Sequence, residues 1–351
     1  FDPPDMSTDP PSGFATGIKH PYAVQSLLLW ARKEGLGLDS TWRHMNENRA
    51  PVTFVTTVDD NGRMVPGPVY ISSDVTADTM ALFLQDIKLL VEAEAEKIVA
   101  IDPGLLEHRG SLLAEPRIVI QEGWWPAFFM IDKSRAEKNG IQRVFPGIPI
   151  RICQFHVVQA ILRWEKDEPS GQGRPKLSLV QKHHLLYAVR NLQRCRDSHD
   201  WDDKLRVFYR RVGVLSNDDS DKAERIKAYF NVNWFKLEWR DHWTDIGLPR
   251  GKNHDGMLST NNWTERAFKT FHQIFLEGRS NKSLYRLVQL FANEWFHYYS
   301  AWKPKSKKYD KQLMATMQRG YHLWSTGTVT ENSAVSGKRS WNVANIDSIS
   351  I

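Results

Sequence analysis

Apolar and polar positions alternate strongly in the first half of the chain and fall into a helical rhythm in the second. VTFVTTVD at 52–59 is rich in β-branched residues and runs into Asp-Asn-Gly-Arg, a turn signal. With Asn61-Gly62 at a tight hairpin, MVPGPVYISS at 64–73 is the return strand, its prolines suiting an edge or a bulge. LGLDSTW at 36–42 is an earlier strand that approaches Asp39. PAFFMID at 126–132 reads as a buried strand ending in Asp132, and PIRICQF at 149–155 as another. Between them the periodicity turns helical. Helices are predicted at 21–34, 76–100, 134–146 and 157–166. In the longest, apolar residues recur at 80, 83, 87, 90 and 91, with Thr76 or Asp78 as cap. Residues 101–125 show no clear period and read as irregular.

EPSGQGRPK at 168–176 has the composition of a linker. Strand signals vanish from 177 to about 240, and charged and aromatic residues recur at helical spacing. GLPRGKNHDG at 247–256 is a polar loop, and two more helices are predicted near 261–276 and 281–301. Three early strands in a meander followed by alternation imply an α/β fold, a mixed five-stranded sheet flanked by helices. An all-helical block interrupts it before the helix that carries Glu265. The expected organisation is a flexible arm at 1–20, a core built from 21–167 and 258–302, a helical insertion at 168–257, and a basic run with a loose tail at 303–351.

The chain has 351 residues, 41% of them hydrophobic and 25% charged, ordinary for a globular protein. No run of about 18 apolar residues occurs, so no membrane span is expected. Two cysteines, Cys153 and Cys195, make neither a disulfide framework nor an all-cysteine zinc site. The chain begins with Phe and reads as a fragment of a longer protein. The net charge of +6 admits nucleic acid as a partner without demanding it.

Three carboxylates stand out by position: Asp39 and Asp132 at strand ends, and Glu265 on a helix after the all-helical block. Ligands of α/β sheets favour strand ends, and Mg²⁺ is held by a few carboxylates plus substrate phosphates. By residue pattern alone the three also fit a cap, a turn residue and half of a surface ion pair.

The strings GLDSTW…APVTFVTTVDDNGRMVPGPVYISS, PAFFMIDKSRAEKNGIQRVFPGIPIRICQFHVVQAILRW and STNNWTERAFKTFHQIFLEGRSNKS resemble Mutator-like transposases over roughly residues 30–302. The middle string is the most specific, with an aspartate, a short helix, Phe-Pro, a strand and then Cys-x-x-His. The resemblance implies an RNase H-like catalytic domain in which Asp39, Asp132 and Glu265 are the catalytic and metal-binding DDE triad. It further implies two Mg²⁺ ions, with Mn²⁺ as substitute, that serve DNA strand cleavage and strand transfer at transposon ends. The partners it implies are double-stranded DNA, as transposon ends and target, and a second copy of the chain on DNA; the location it implies is the nucleus. A domesticated DNA-binding regulator and an inactive fragment of a decayed element fit the same residues.

Cys153 and His156 are possible accessory residues, or a buried cysteine and a satisfied histidine. Lys133, Arg135, Asn261, Asn262, Arg266, Lys269, Arg279 and Lys282 are expected to contact DNA. Asn261 also suits a helix cap, the slightly favoured role. Arg190, Arg194, Arg196, Arg206, Arg210 and Arg211 form either a second DNA surface or a solvated face, and the latter also suits His183-His184. Trp124 and Trp125 belong to the core by default, with base stacking as the alternative. KPKSKKYDK at 303–311 suits a nuclear localisation signal or a phosphate contact. Residues 101–125 are longer than the family pattern and suit a lid or an erroneous stretch, and GKRSWNVAN at 337–345 resembles the approach to a zinc module.

Overall fold

The computed structural model describes residues 13–42, 45–100, 114–164, 174–217, 219–248, 261–280, 282–301, 329–332 and 340–343. Two units are distinguished, 1–300 and 301–351. In the first, six strands form one mixed sheet: β1 Ala15–Ile18, β2 Leu36–Thr41, β3 Val52–Val58, β4 Met64–Ser72, β5 Phe129–Ile131 and β6 Ile150–Ile152. Their spatial order is β1-β4-β3-β2-β5-β6. β1 to β4 pair antiparallel, while β5 runs parallel to both β2 and β6.

The predicted meander and the later alternation are both present. The hairpin turns where Gly62 takes a φ of +69° and donates its N–H to Asp59 O at 2.8 Å. That left-handed conformation is the one glycine supplies without steric cost. The prediction missed β1. Four residues in a stretch expected as a flexible arm add a sixth, edge strand beside β4.

The helices of this unit are α1 Pro21–Glu34, α2 Ala77–Ala100, α3 Ala114–Glu122, α4 Arg135–Val144, α5 Gln154–Leu162, α6 Leu179–Gln193, α7 Ser198–Leu215, α8 Ser220–Asn233, α9 Leu237–Trp243, α10 Asn262–Thr270, α11 Leu284–Leu290 and α12 Phe296–Ser300. α3 corrects the expectation of an irregular 101–125; residues 101–113 lie outside the described set. The two helices expected near 261–276 and 281–301 are broken by π-helical turns at Phe271–Phe275 and Phe291–Trp295. There Phe271 and Phe291 stack with ring centroids 4.2 Å apart.

Among the described residues four apolar clusters occur, the smallest of them Val58, Phe128, Met130 and Cys153, and the three larger ones organise the unit. Leu36 and Leu38 of β2 join residues of α1, α2 and α4 in one. Val52 and Phe54 of β3 join Phe271, Phe291 and Trp295 in a second. The third belongs to α5 through α9, where Trp164, Phe208, Phe230 and Trp243 are buried together. This core is shared: Ile152 of β6, Val157 and Ile161 of α5 and Trp164 pack with the helices that follow residue 177. Among the described residues no helix is long and apolar enough to cross a membrane.

In the second unit, β7 Val329–Asn332 and β8 Ser340–Val343 pair antiparallel, where the sequence suggested only a loose tail. The basic run at 303–311 lies outside the described residues.

Candidate active site

Strand register carries the first two acids to one place. Gly37 pairs with Met130 across parallel β2 and β5, so two residues further on Asp39 lies level with Asp132. Ile131 pairs with Ile152 across β5 and β6, which sets Cys153 beside Asp132. Cys153 donates its N–H to Ile131 O at 3.0 Å and then begins α5. In the first turn of that helix, His156 points its ring back over the strand ends. Its Nδ1 lies 2.8 Å from Asp132 Oδ1, and its Nε2 lies 3.4 Å from Glu265 Oε1.

Glu265 arrives on α10, which is locked to the sheet by close contacts. Thr264 and Thr56 share a buried hydroxyl–hydroxyl hydrogen bond of 2.8 Å. Asn261 donates Nδ2 to Leu38 O at 3.5 Å and its backbone N–H to Cys153 Sγ at 3.3 Å. Gly37 makes room for this approach. A Cβ there would lie 2.8 Å from Thr56 Oγ1, 3.0 Å from Asn261 Oδ1 and closer still to Thr264 Oγ1.

A fourth acid, Glu137 on α4, was missed in the sequence. It is buried, and its Oε1 accepts from Ser40 Oγ at 3.2 Å. The Ser134-x-x-Glu137 spacing reads as a helix-capping pattern. Ser134 does cap, accepting the Glu137 N–H at 3.2 Å. The glutamate side chain instead turns to the end of β2, and only the fold shows that.

The electrostatics follow from this crowding. Burial, then the Asp132 charge, push the Asp39 carboxyl well above the usual carboxylate range. Burial, then Asp39 and Asp132, do the same to Glu137. The hydrogen bond to Asp132, then that to Cys153, raise His156 to about 11 against the opposing effect of burial. The imidazolium is the positive charge seated between Asp132 and Glu265.

The basic residues predicted to contact DNA divide into two sets. Lys133 and Arg135, next to Asp132 in sequence, turn to the helical insertion. Lys133 Nζ sits 4.6 Å from the Trp234 ring and 5.6 Å from the Trp239 ring. Arg135 grips Glu238 with two bonds of 2.9 and 3.0 Å. Lys133 is half-buried in these contacts, whereas Arg135 stays exposed. Asn261 is buried at the N-cap position of α10, where its side chain makes no cap bond and instead ties the helix to β2. Asn262, Arg266, Lys269 and Arg279 are exposed. Lys282 bridges Asn46 through its backbone.

Trp124 is fully buried, whereas Trp125 is partly open and packs edge-on against Phe145 at 5.5 Å. His183, His184, Arg190, Arg194, Arg196, Arg206 and Arg210 lie exposed on the insertion, and Arg211 stacks on Tyr187 at 4.6 Å.

No protein-family model matches the chain, and no curated protein is significantly similar to it.

Proposed function

We propose that the chain is the catalytic core of a DNA transposase of the Mutator-like kind, built on an RNase H-like sheet. Its chemistry is metal-dependent strand cleavage and strand transfer. The observation that carries this reading is the convergence of Asp39, Asp132 and Glu265, three acids far apart in sequence, on one site where burial, then the Asp132 charge, raise the Asp39 carboxyl.

The donor set suits a hard divalent cation: its oxygens are carboxylates, and the excess of like charge favours a cation over an empty site. Asp39, Asp132 and Glu265 would hold Mg²⁺ or Mn²⁺. When bound, such ions supply activation of water and charge neutralisation at the scissile phosphate. The chain's own residues do the rest. The Thr264–Thr56 and Asn261–Leu38 bonds fix the α10 start against β2, so Glu265 keeps its place opposite Asp132. Arg266 and Lys269 lie exposed on the same helix, and in this reading they meet DNA phosphates, a contact that weakens steeply with salt.

The test is nicking of supercoiled plasmid by the full chain in Mg²⁺ or Mn²⁺. Nicking is expected for wild type and at least about a hundredfold less for Asp132→Asn and Glu265→Gln, since each removes a group that acts on the reacting centre. Equal nicking by Asp132→Asn overturns the assignment. Salt-sensitive DNA binding without any nicking favours the regulator reading instead.

A further inference from the structure

Asp132, Cys153 and His156 offer one carboxylate oxygen, one thiol sulfur and one ring nitrogen, all within 4.8 Å of one another. The three side chains come from the end of β5, the end of β6 and the first turn of α5. Their meeting follows from the β5–β6 register and the three-residue step from Cys153 to His156. This donor set differs in kind from the carboxylates. Mg²⁺ takes oxygen ligands, whereas thiolate and imidazole select Zn²⁺ and its chemical relatives.

We propose that Asp132 Oδ1, Cys153 Sγ and His156 Nδ1 form a tripod that binds a thiophilic divalent cation, Zn²⁺ or Co²⁺, which displaces the thiol proton and the Nδ1 proton to solvent and leaves one position open. Three protein ligands with a fourth position free is the composition of open zinc sites. Two further contacts fit the role. Glu265 Oε1 lies 3.4 Å from His156 Nε2, the ring nitrogen that faces away from Asp132. A carboxylate on the far nitrogen of a ligating histidine fixes its tautomer and orientation. The Asn261 backbone N–H, 3.3 Å from Cys153 Sγ, donates to the sulfur and orients it. Cys153 is fully buried at this junction, so the sulfur is held in place.

The tripod shares Asp132 with the proposed nuclease site, and its second contact uses Glu265. A thiophilic ion held there takes both carboxylates away from Mg²⁺, so such an ion inhibits strand cleavage. Binding itself does not depend on the chain being a nuclease.

The experiment is a Co²⁺ titration of the reduced, chelator-treated full chain, read by near-ultraviolet sulfur-to-cobalt charge-transfer absorption. One equivalent per chain is expected to develop the band. Excess Mg²⁺ leaves it intact and Zn²⁺ removes it. Cys153→Ser abolishes it. Asp132→Asn weakens Co²⁺ binding at least tenfold. Cys195→Ser, which changes the cysteine in the insertion core, retains the band, as does Asp39→Asn. Far-ultraviolet circular dichroism establishes that each variant is folded. No band in wild type overturns the tripod, and so does a band that survives in folded Cys153→Ser. Asp39→Asn separates the two claims: it keeps the cobalt band if the tripod is right and loses nicking if the triad is right.

Discussion

On one side of the β5 end, Asp132 faces Asp39, Glu137 and Glu265, with the His156 imidazolium as the cation between Asp132 and Glu265. On the other side, Lys133, Arg135 and Lys138 face the insertion, and each has a partner. Lys138 donates to Glu238 O at 2.6 Å and lies 4.9 Å from the Trp239 ring. Deeper in the same junction, Arg151 is completely buried and donates to Asp241 O at 3.2 Å and to Thr244 O. One region gathers like charges at a cost in stability. The other sets its cations against opposite charges, rings and carbonyls, with Arg151 Nε and Nη2 left buried without a hydrogen-bond partner. Crowded carboxylates are the mark of a site that a ligand completes, and matched groups are the mark of a structural joint.

The largest break in this contrast is expected in the joint. Trp243 is fully buried, and its Nε1 donates to Trp234 O at 2.9 Å. Trp243→Ala should lower unfolding free energy by about 3–5 kcal/mol, read in urea titrations. Next comes the strand–helix contact under the site. Gly37→Val should cost roughly 1–3 kcal/mol by overpacking and should also abolish nicking, because α10 and Glu265 must move. Retained nicking in that variant would refute the close docking of α10 as a requirement.

Glu137 gives a smaller effect with a definite sign. Its folded carboxyl titrates well above the ordinary 4.5. As pH rises from that value, the unfolded chain loses the proton while the folded chain keeps it. Stability therefore falls with pH, and the fall ends once the folded group has also ionised. The slope is at most about 1.4 kcal/mol per pH unit, the worth of one proton. Glu137→Gln should lessen this fall, leaving the part that the raised Asp39 carboxyl contributes, which urea midpoints at a series of pH values would show. An unchanged slope would place the titration elsewhere. The smallest effect belongs to Lys133→Met. It loses a partly buried ring contact of about 0.5–1 kcal/mol and should leave DNA affinity unchanged, while Arg266→Ala weakens DNA binding and flattens its salt dependence.

The elements that position the first two acids were readable in the chain. β-branched density and Asn-Gly mark the hairpin, and apolar runs that stop at Asp39 and Asp132 mark strand ends. The helical block was readable because strand signals stop within it. Other features depend on contacts that no local pattern encodes. β1 is only four residues and becomes a strand by pairing with β4. α3 sits in a stretch that shows no clear period in the sequence. Glu137 looks like a cap partner until the sheet brings Ser40 beside it. No local pattern shows that Trp234, Trp239 and Glu238 come against Lys133 and Arg135. The lone Gly37 carries no signal in sequence that a helix docks upon it.

The most direct test of a shared cation site is Mn²⁺ titration of the full chain with a short DNA duplex, following free Mn²⁺ by electron paramagnetic resonance. Saturable binding is predicted for wild type, with at least tenfold loss of affinity, about 1.4 kcal/mol, in both Asp39→Asn and Glu265→Gln. Wild-type affinity in those two folded variants would contradict the claim that acids from β2 and α10 hold a common ion.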